Sequence, residues 1–134
     1  GSGILSLCSA KLWLNSQIIA GDIDDEAIIV TDGNAKNNQL ESQIKSYVSD
    51  GYKHEAIKNN APYDMILCNI LANPLIAFAP DLANHLKSNG YCILSGFIDA
   101  QVDDVISAHE QQGLKLIKLY SLDNWRAALM QKVN

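Results

Sequence analysis

From Ile4 to Val133 the apolar residues switch repeatedly between helical spacing and the short unbroken runs of buried strands. No repeat, low-complexity tract or linker interrupts the switching, and a chain patterned this way folds as helices layered on a mostly parallel sheet. The 134 residues are 48% hydrophobic, enough to close a core without metals or disulfides, so a single domain over residues 1–134 is expected.

Ile4, Leu5, Cys8 and Leu12, with Leu7 beside them, form the apolar face of a first helix that begins after Gly3. Residues 18–21 read as a short buried strand ending at Asp22. Asp24 can cap a second helix, with Asp25 and Glu26 favourable in its first turn, and the pattern fades near Asn37 and Asn38. Residues 44–48 alternate as a third such element, whereas 52–60 are too polar to assign. Residues 63–68 are apolar almost throughout and stop at Asn69, as expected of a strand covered by helices on both faces.

Asn73 and Pro74 form a cap and first-turn pair, and Leu75, Ala79, Leu82 and Leu86 line one face of the helix behind them, with Pro80 kinking it. Gly90 ends that helix, and residues 91–94 form another buried strand. Asp99 caps a helix whose apolar face is Val102, Val105, Ile106 and His109, and Gly113 stops it. Residues 114–120 and 125–133 have strand character on either side of a turn at 121–124, which makes them an antiparallel edge.

Fifteen acidic residues against ten basic ones give a net charge of −5, which disfavours nucleic acid as a direct partner. The longest apolar stretches fall far short of the roughly 18 to 20 residues of a membrane helix, and no basic apolar leader opens the chain. Cys8, Cys68 and Cys92 are odd in number and set among apolar residues, so they read as small core residues of a cytoplasmic protein. His54, His85 and His109 lie too far apart on separate elements for a metal pair, and no metal site is expected. Neither a serine nucleophile elbow nor a Walker loop is present.

Ligands of an open parallel sheet bind beyond the carboxyl ends of its strands. Gly1, Ser2 and Gly3 precede the first helix, and Asp22 ends the following strand. Glycines before a helix and an acid about twenty residues on suit a nucleoside, because the backbone can approach closely and a carboxylate accepts two ribose hydroxyls. The dinucleotide version of the pattern wants a third glycine where Ser6 stands, which argues against a nicotinamide oxidoreductase. Asn69 ends an otherwise apolar strand, where its side-chain oxygen and neighbouring carbonyls can orient a substrate. The same asparagine also suits a helix cap.

Gly1-Ser2-Gly3-Ile4-Leu5-Ser6, Gly21-Asp22-Ile23-Asp24, Asn34-Ala35 with Asn38, Asn69-Ile70-Leu71-Ala72-Asn73-Pro74-Leu75, Leu94-Ser95-Gly96-Phe97 and Trp125 together resemble the ribosomal protein L11 methyltransferase family. That resemblance implies a Rossmann-like, three-layer class I methyltransferase sheet, mostly parallel with an antiparallel edge. It implies S-adenosylmethionine as cofactor and methyl transfer to amines of a ribosomal protein, lysine side chains or an α-amino group. Carried over by position, Gly1 and Gly3 border the methionine part of the cofactor, Asp22 holds the ribose, and Asp50 serves the adenine side. Asn69 accepts a hydrogen bond from the target amine, with the Ile70 carbonyl beside it.

Relative to the family's pattern, the first, central strand, half of the glycine motif and the amino-terminal substrate-recognition domain have no counterpart here. The expectation is therefore a truncated catalytic domain, possessing two open strand edges that a second copy covers in a homodimer. The competing expectation is a non-enzymatic remnant of the fold that acts through assembly with a partner.

Overall fold

The computed structural model describes residues Gly1–Asn134 throughout, and their contacts gather into two units, Gly1–Asn60 and Ala61–Asn134. In the first unit the order is α1 (Ile4–Leu12), β1 (Ile18–Asp22), α2 (Asp25–Asn37), β2 (Ile44–Val48) and α3 (Glu55–Asn59). The two strands run parallel in register from Ile18 opposite Ile44 to Asp22 opposite Val48, and each has one unpaired edge. Ala10, Ala35, Leu40 and Ile44 form the core, with Leu7 and Ile18 packed against it.

The inward face of α1 differs from the one that the large apolar residues mark. Ser9 and Ala10 are its buried residues, while Ile4, Leu5, Cys8 and Leu12 are exposed. The contact is made by small side chains: Ala10 admits close packing, and Ser9 satisfies its hydroxyl on the Leu5 carbonyl at 2.7 Å. The start of α2 is as expected, since Asp24 Oδ1 accepts from the Glu26 amide at 3.0 Å. The polar stretch 52–60 contains a helix because His54 acts as its cap, Nδ1 accepting from the Ala56 amide at 3.0 Å.

The second unit contains β3 (Tyr63–Asn69), α4 (Ala72–Ala77), α5 (Ala79–His85), β4 (Leu86–Ile98), a 3-10 turn (Asp99–Gln101), α6 (Val102–Glu110), β5 (Leu114–Leu122) and β6 (Trp125–Lys132). Its sheet has the order β3-β4-β6-β5. The β3–β4 pair is parallel, and β6 runs antiparallel to both β4 and β5, as the turn at Asp123 and Asn124 requires.

Four helix features move from their expected places. Leu71, not Asn73, precedes the first turn of α4, and the helix breaks at Phe78 where a kink at Pro80 was expected. Proline is tolerated in the first turn of α5, because an amide there has no partner within the helix. Helix α5 ends at His85 rather than at Gly90: Lys132 Nζ donates to the Ala83 and Leu86 carbonyls at 2.6 and 3.0 Å, so β4 begins at Leu86. Asp99 opens the 3-10 turn rather than capping α6, and Gln101 Oε1 accepts from the Ile98 amide at 3.0 Å.

The sheet has one sealed face. Cys92, Leu94, Phe97, Ala128 and Met130 are fully buried, along with Val105 and His109 of α6. Their alternate neighbours Ile93, Ser95, Ala127 and Leu129 are only half-buried, and β3 has no fully buried residue. The strand at residues 63–69 is therefore not covered on both faces as its apolar run suggests, because the buried residues of β4 and β6 all share one side. Of the cysteines only Cys92 is a core residue, its thiol pushed up to about 12 by burial and by the neighbouring Cys68; Cys8 is exposed.

Candidate functional site

The glycine turn is fastened to α2. Gly3 has φ of 81°, a left-handed conformation, and a Cβ on it would meet the Thr31 side chain at 2.7 Å. Thr31 Oγ1 donates to the Gly1 carbonyl at 3.3 Å, and Asn34 Nδ2 donates to the Ser2 carbonyl at 2.8 Å. One face of α2 thus grips the turn at Gly1 and Ser2 while Ala27, Ile28, Thr31 and Ala35 are buried.

Asp22 stands at the end of β1 with Oδ1 accepting from the Asp24 amide at 3.0 Å. Its Oδ2 pairs with the Gly1 amine, and this hydrogen bond, followed by that from Asp24, holds the carboxyl below its ordinary 3.8. Gly1, Gly3 and Asp22 are thus brought together. Asp50 is not held in a comparable way: it is exposed and pairs with Lys53 at 3.0 Å. The loop that carries it is ordered by Ser49, whose hydroxyl donates to the Gly51 carbonyl at 2.8 Å and accepts from the His54 amide at 3.1 Å, and by stacking of His54 on Tyr47.

The second unit has an open cleft of about 520 Å³ whose lining includes Asn69, Ile70, Leu71, Ser95, Trp125 and Arg126. Strand register places Asn69 opposite Ser95, and Ser95 Oγ donates to Asn69 Oδ1 at 3.0 Å. Gly96 forms a bulge between Ser95 and Phe97 with φ of 98°. A Cβ on Gly96 would fall closer than 3.0 Å to the Ile70 carbonyl oxygen and 3.1 Å from Asn69 Oδ1.

The rim combines exposed Trp125 and Leu71 with the more enclosed Arg126, whose side chain is 16% exposed. Arg126 Nη1 donates to the Asp123 and Trp125 carbonyls at 2.9 Å, and Nη2 pairs with Asp99 at 3.3 Å. Thr31, the hydrogen bonds of Asn34, and Arg126 escaped the sequence reading, since each acts on backbone carbonyls that no local pattern announces. No group of three or more histidine, cysteine or acidic residues is placed to hold a metal.

An α/β alternation with a left-handed glycine before the first helix and an acid ending the next strand defines a Rossmann-like domain of the methyltransferase type. The family described as Ribosomal protein L11 methyltransferase (PrmA) matches residues 1–133. The ribosomal protein L11 methyltransferase of Brucella suis is 39% identical over 127 residues, covering 95% of this chain and 44% of the relative. That of Mesorhizobium japonicum is 35% identical over 125 residues, covering 93% and 43%.

Among solved structures, the ribosomal protein L11 methylase of Lactobacillus delbrueckii subsp. bulgaricus aligns with a TM-score of 0.90 at 26% identity, covering all of this chain and 67% of that one. An S-adenosylmethionine-dependent O-methyltransferase of Thermotoga maritima, at 12% identity and a TM-score of 0.81, shares the fold, the alignment covering all of this chain and 57% of that one. The chain belongs to the ribosomal protein L11 methyltransferase family, and it spans less than half the length of the curated relatives named here.

Proposed function

We propose that the chain is the catalytic portion of an S-adenosylmethionine-dependent methyltransferase that acts on amines of a ribosomal protein, lysine side chains or an α-amino group. The observation that carries this reading is the pair of acceptors at the end of β3, Asn69 Oδ1 and the Ile70 carbonyl, brought close by Gly96. Such a pair suits a nitrogen bearing two hydrogens and leaves its lone pair free. The cofactor supplies a methyl group on a sulfonium centre. Methyl transfer needs little more than alignment of a neutral amine, so orientation by fixed acceptors is the main contribution of the acceptor residues. A lysine amine ordinarily titrates near 10.4, and the site must also favour its uncharged form.

The residues present fit the cofactor's nucleoside. Asp22 offers a carboxylate at the end of β1, and Gly1 and Gly3 leave backbone bare of side chains before α1, with Gly3 in a left-handed conformation. Asp50 is assigned to the adenine side. No helix is long and apolar enough to cross a membrane; a cytoplasmic location is part of the reading, as a ribosomal protein substrate would require. A homodimer is part of the reading, supported by the one-sided pairing of β1 and β3.

Calorimetry with S-adenosylmethionine and S-adenosylhomocysteine tests the function. Binding of both at micromolar concentration is expected; silence on a folded sample overturns it in favour of a non-enzymatic module. Light scattering tests the dimer, which a monomer mass would remove.

A further inference from the structure

Asparagine can rotate its amide, and either end of it can face a substrate. In this chain two neighbours on β4 restrict that freedom. The Ser95 hydroxyl donates to Asn69 Oδ1 at 3.0 Å from the directly opposed register position. The bare α-carbon of Gly96, in the bulge that follows, leaves room for the Ile70 carbonyl to lie against it. Both oxygens fall within 3.1 Å of one point, the position of an absent Gly96 Cβ, so they are near enough for one nitrogen to reach both.

We propose that Ser95 is a positioning residue for the acceptor site: its hydroxyl holds the Asn69 side chain so that Oδ1 and the Ile70 carbonyl are presented together to the incoming amine. The inference rests on the function proposed above and deepens it. The role given to Ser95 needs no contact with the amine or the cofactor. It acts through Asn69, by removing a rotation that would turn the amide nitrogen toward a donor. A carbonyl oxygen has two lone pairs, so the Ser95 bond leaves one for the amine. Ser95 is half-buried in a strand whose alternate residues are fully buried, so its side chain can be changed without opening the core.

The test is carbonyl carbon-13 NMR on the whole chain, wild type against S95A and S95T. In S95A the Asn69 side-chain carbonyl should shift and broaden while Cys92, Leu94 and Ala128 keep their resonances; S95T, which retains the hydroxyl, should restore the wild-type signal. n-Butylamine, a lysine side chain without its backbone, is then titrated at about pH 10, where part of an alkyl amine is uncharged. The Asn69 and Ile70 carbonyls should respond together, and S95A should weaken that response about threefold to tenfold, as loss of one orienting hydrogen bond implies.

An Asn69 signal unchanged in S95A overturns the positioning role whatever the amine does. If both carbonyls respond to the amine equally in wild type and S95A, Ser95 is dispensable while the acceptor reading stands. An amine that moves neither carbonyl in the wild type removes the acceptor reading, and this inference with it.

Discussion

The two units hold their functional residues by different means. In Gly1–Asn60 the glycine turn is fixed by side chains: Thr31 and Asn34 reach out from α2 to the carbonyls of Gly1 and Ser2. In Ala61–Asn134 the acceptor residues are placed by backbone, with the Ser95 hydroxyl setting only the Asn69 amide: Asn69 ends a strand in register with Ser95, and the Ile70 carbonyl lies on a glycine bulge. Side-chain tethers can be lost singly, because a methyl or hydroxyl can rotate aside. A strand register cannot yield at one residue without moving its neighbours, so equivalent substitutions should be felt more strongly in the second unit.

The sharpest challenge to that contrast is Gly96→Ala. The new methyl would fall on the Ile70 carbonyl, which is backbone and cannot swing away, and φ of 98° is itself unfavourable for alanine. A loss of about 3 kcal/mol or more in urea unfolding is expected, the upper part of the usual mutational range. A loss below about 1 kcal/mol would mean that the bulge is adaptable and the contrast overstated.

Binding tests the first unit next. Asp22→Ala should weaken S-adenosylmethionine by about 2 to 3 kcal/mol in calorimetry, since charge-assisted partners of ribose hydroxyls are lost. Affinity unchanged in the variant would take Asp22 out of the cofactor site. Asn69→Ala should leave that affinity nearly intact and reduce turnover on a ribosomal protein substrate, the signature of a group that serves the amine.

Gly3→Ala is the side-chain counterpart of the bulge substitution. Its methyl would meet Thr31 at 2.7 Å and its φ is 81°, so a cost of about 1 to 2 kcal/mol is expected. Pairing it with Thr31→Ala should recover part of that loss, because the obstructing atoms are removed while the backbone strain stays. No recovery in the double variant would show that the turn is as rigid as the bulge.

These contrasts also show what the amino-acid order discloses. Asp22 and Asn69 are legible because each sits where an apolar run stops, the Gly-Ser-Gly turn because a helical apolar pattern follows it directly, and strand patterning marks all six strands, β4 only from residue 91 onward. The inner face of α1 was not legible, because packing there uses Ser9 and Ala10 while larger residues four apart face outward. The end of α5 was hidden for another reason: the lysine that donates to its last carbonyls, Lys132, is 46 residues away from Leu86. Thr31 and Arg126 belong with it, as side chains whose partners are backbone atoms brought near only by folding.

The smallest expected effect concerns His109, at the sealed face of the second unit. Its ring is fully buried, Nδ1 bonds the Val105 carbonyl at 2.7 Å, and Nε2 has no hydrogen-bond partner. Burial holds its pKa below the ordinary 6.5, with the Val105 bond opposing only in part. The unfolded chain therefore binds a proton near pH 6.5 that the folded chain resists. The stability from this group is fully present above 6.5 and is lost as pH falls below it toward the depressed folded value. The slope cannot exceed about 1.4 kcal/mol per pH unit for one proton. His109→Leu removes the titrating group and the unpaired nitrogen at similar volume, so its unfolding free energy should vary less between pH 7 and about pH 5.5 than that of the wild type. Parallel pH profiles for the two proteins would assign the acid sensitivity elsewhere and leave the sealed face without a titrating weakness.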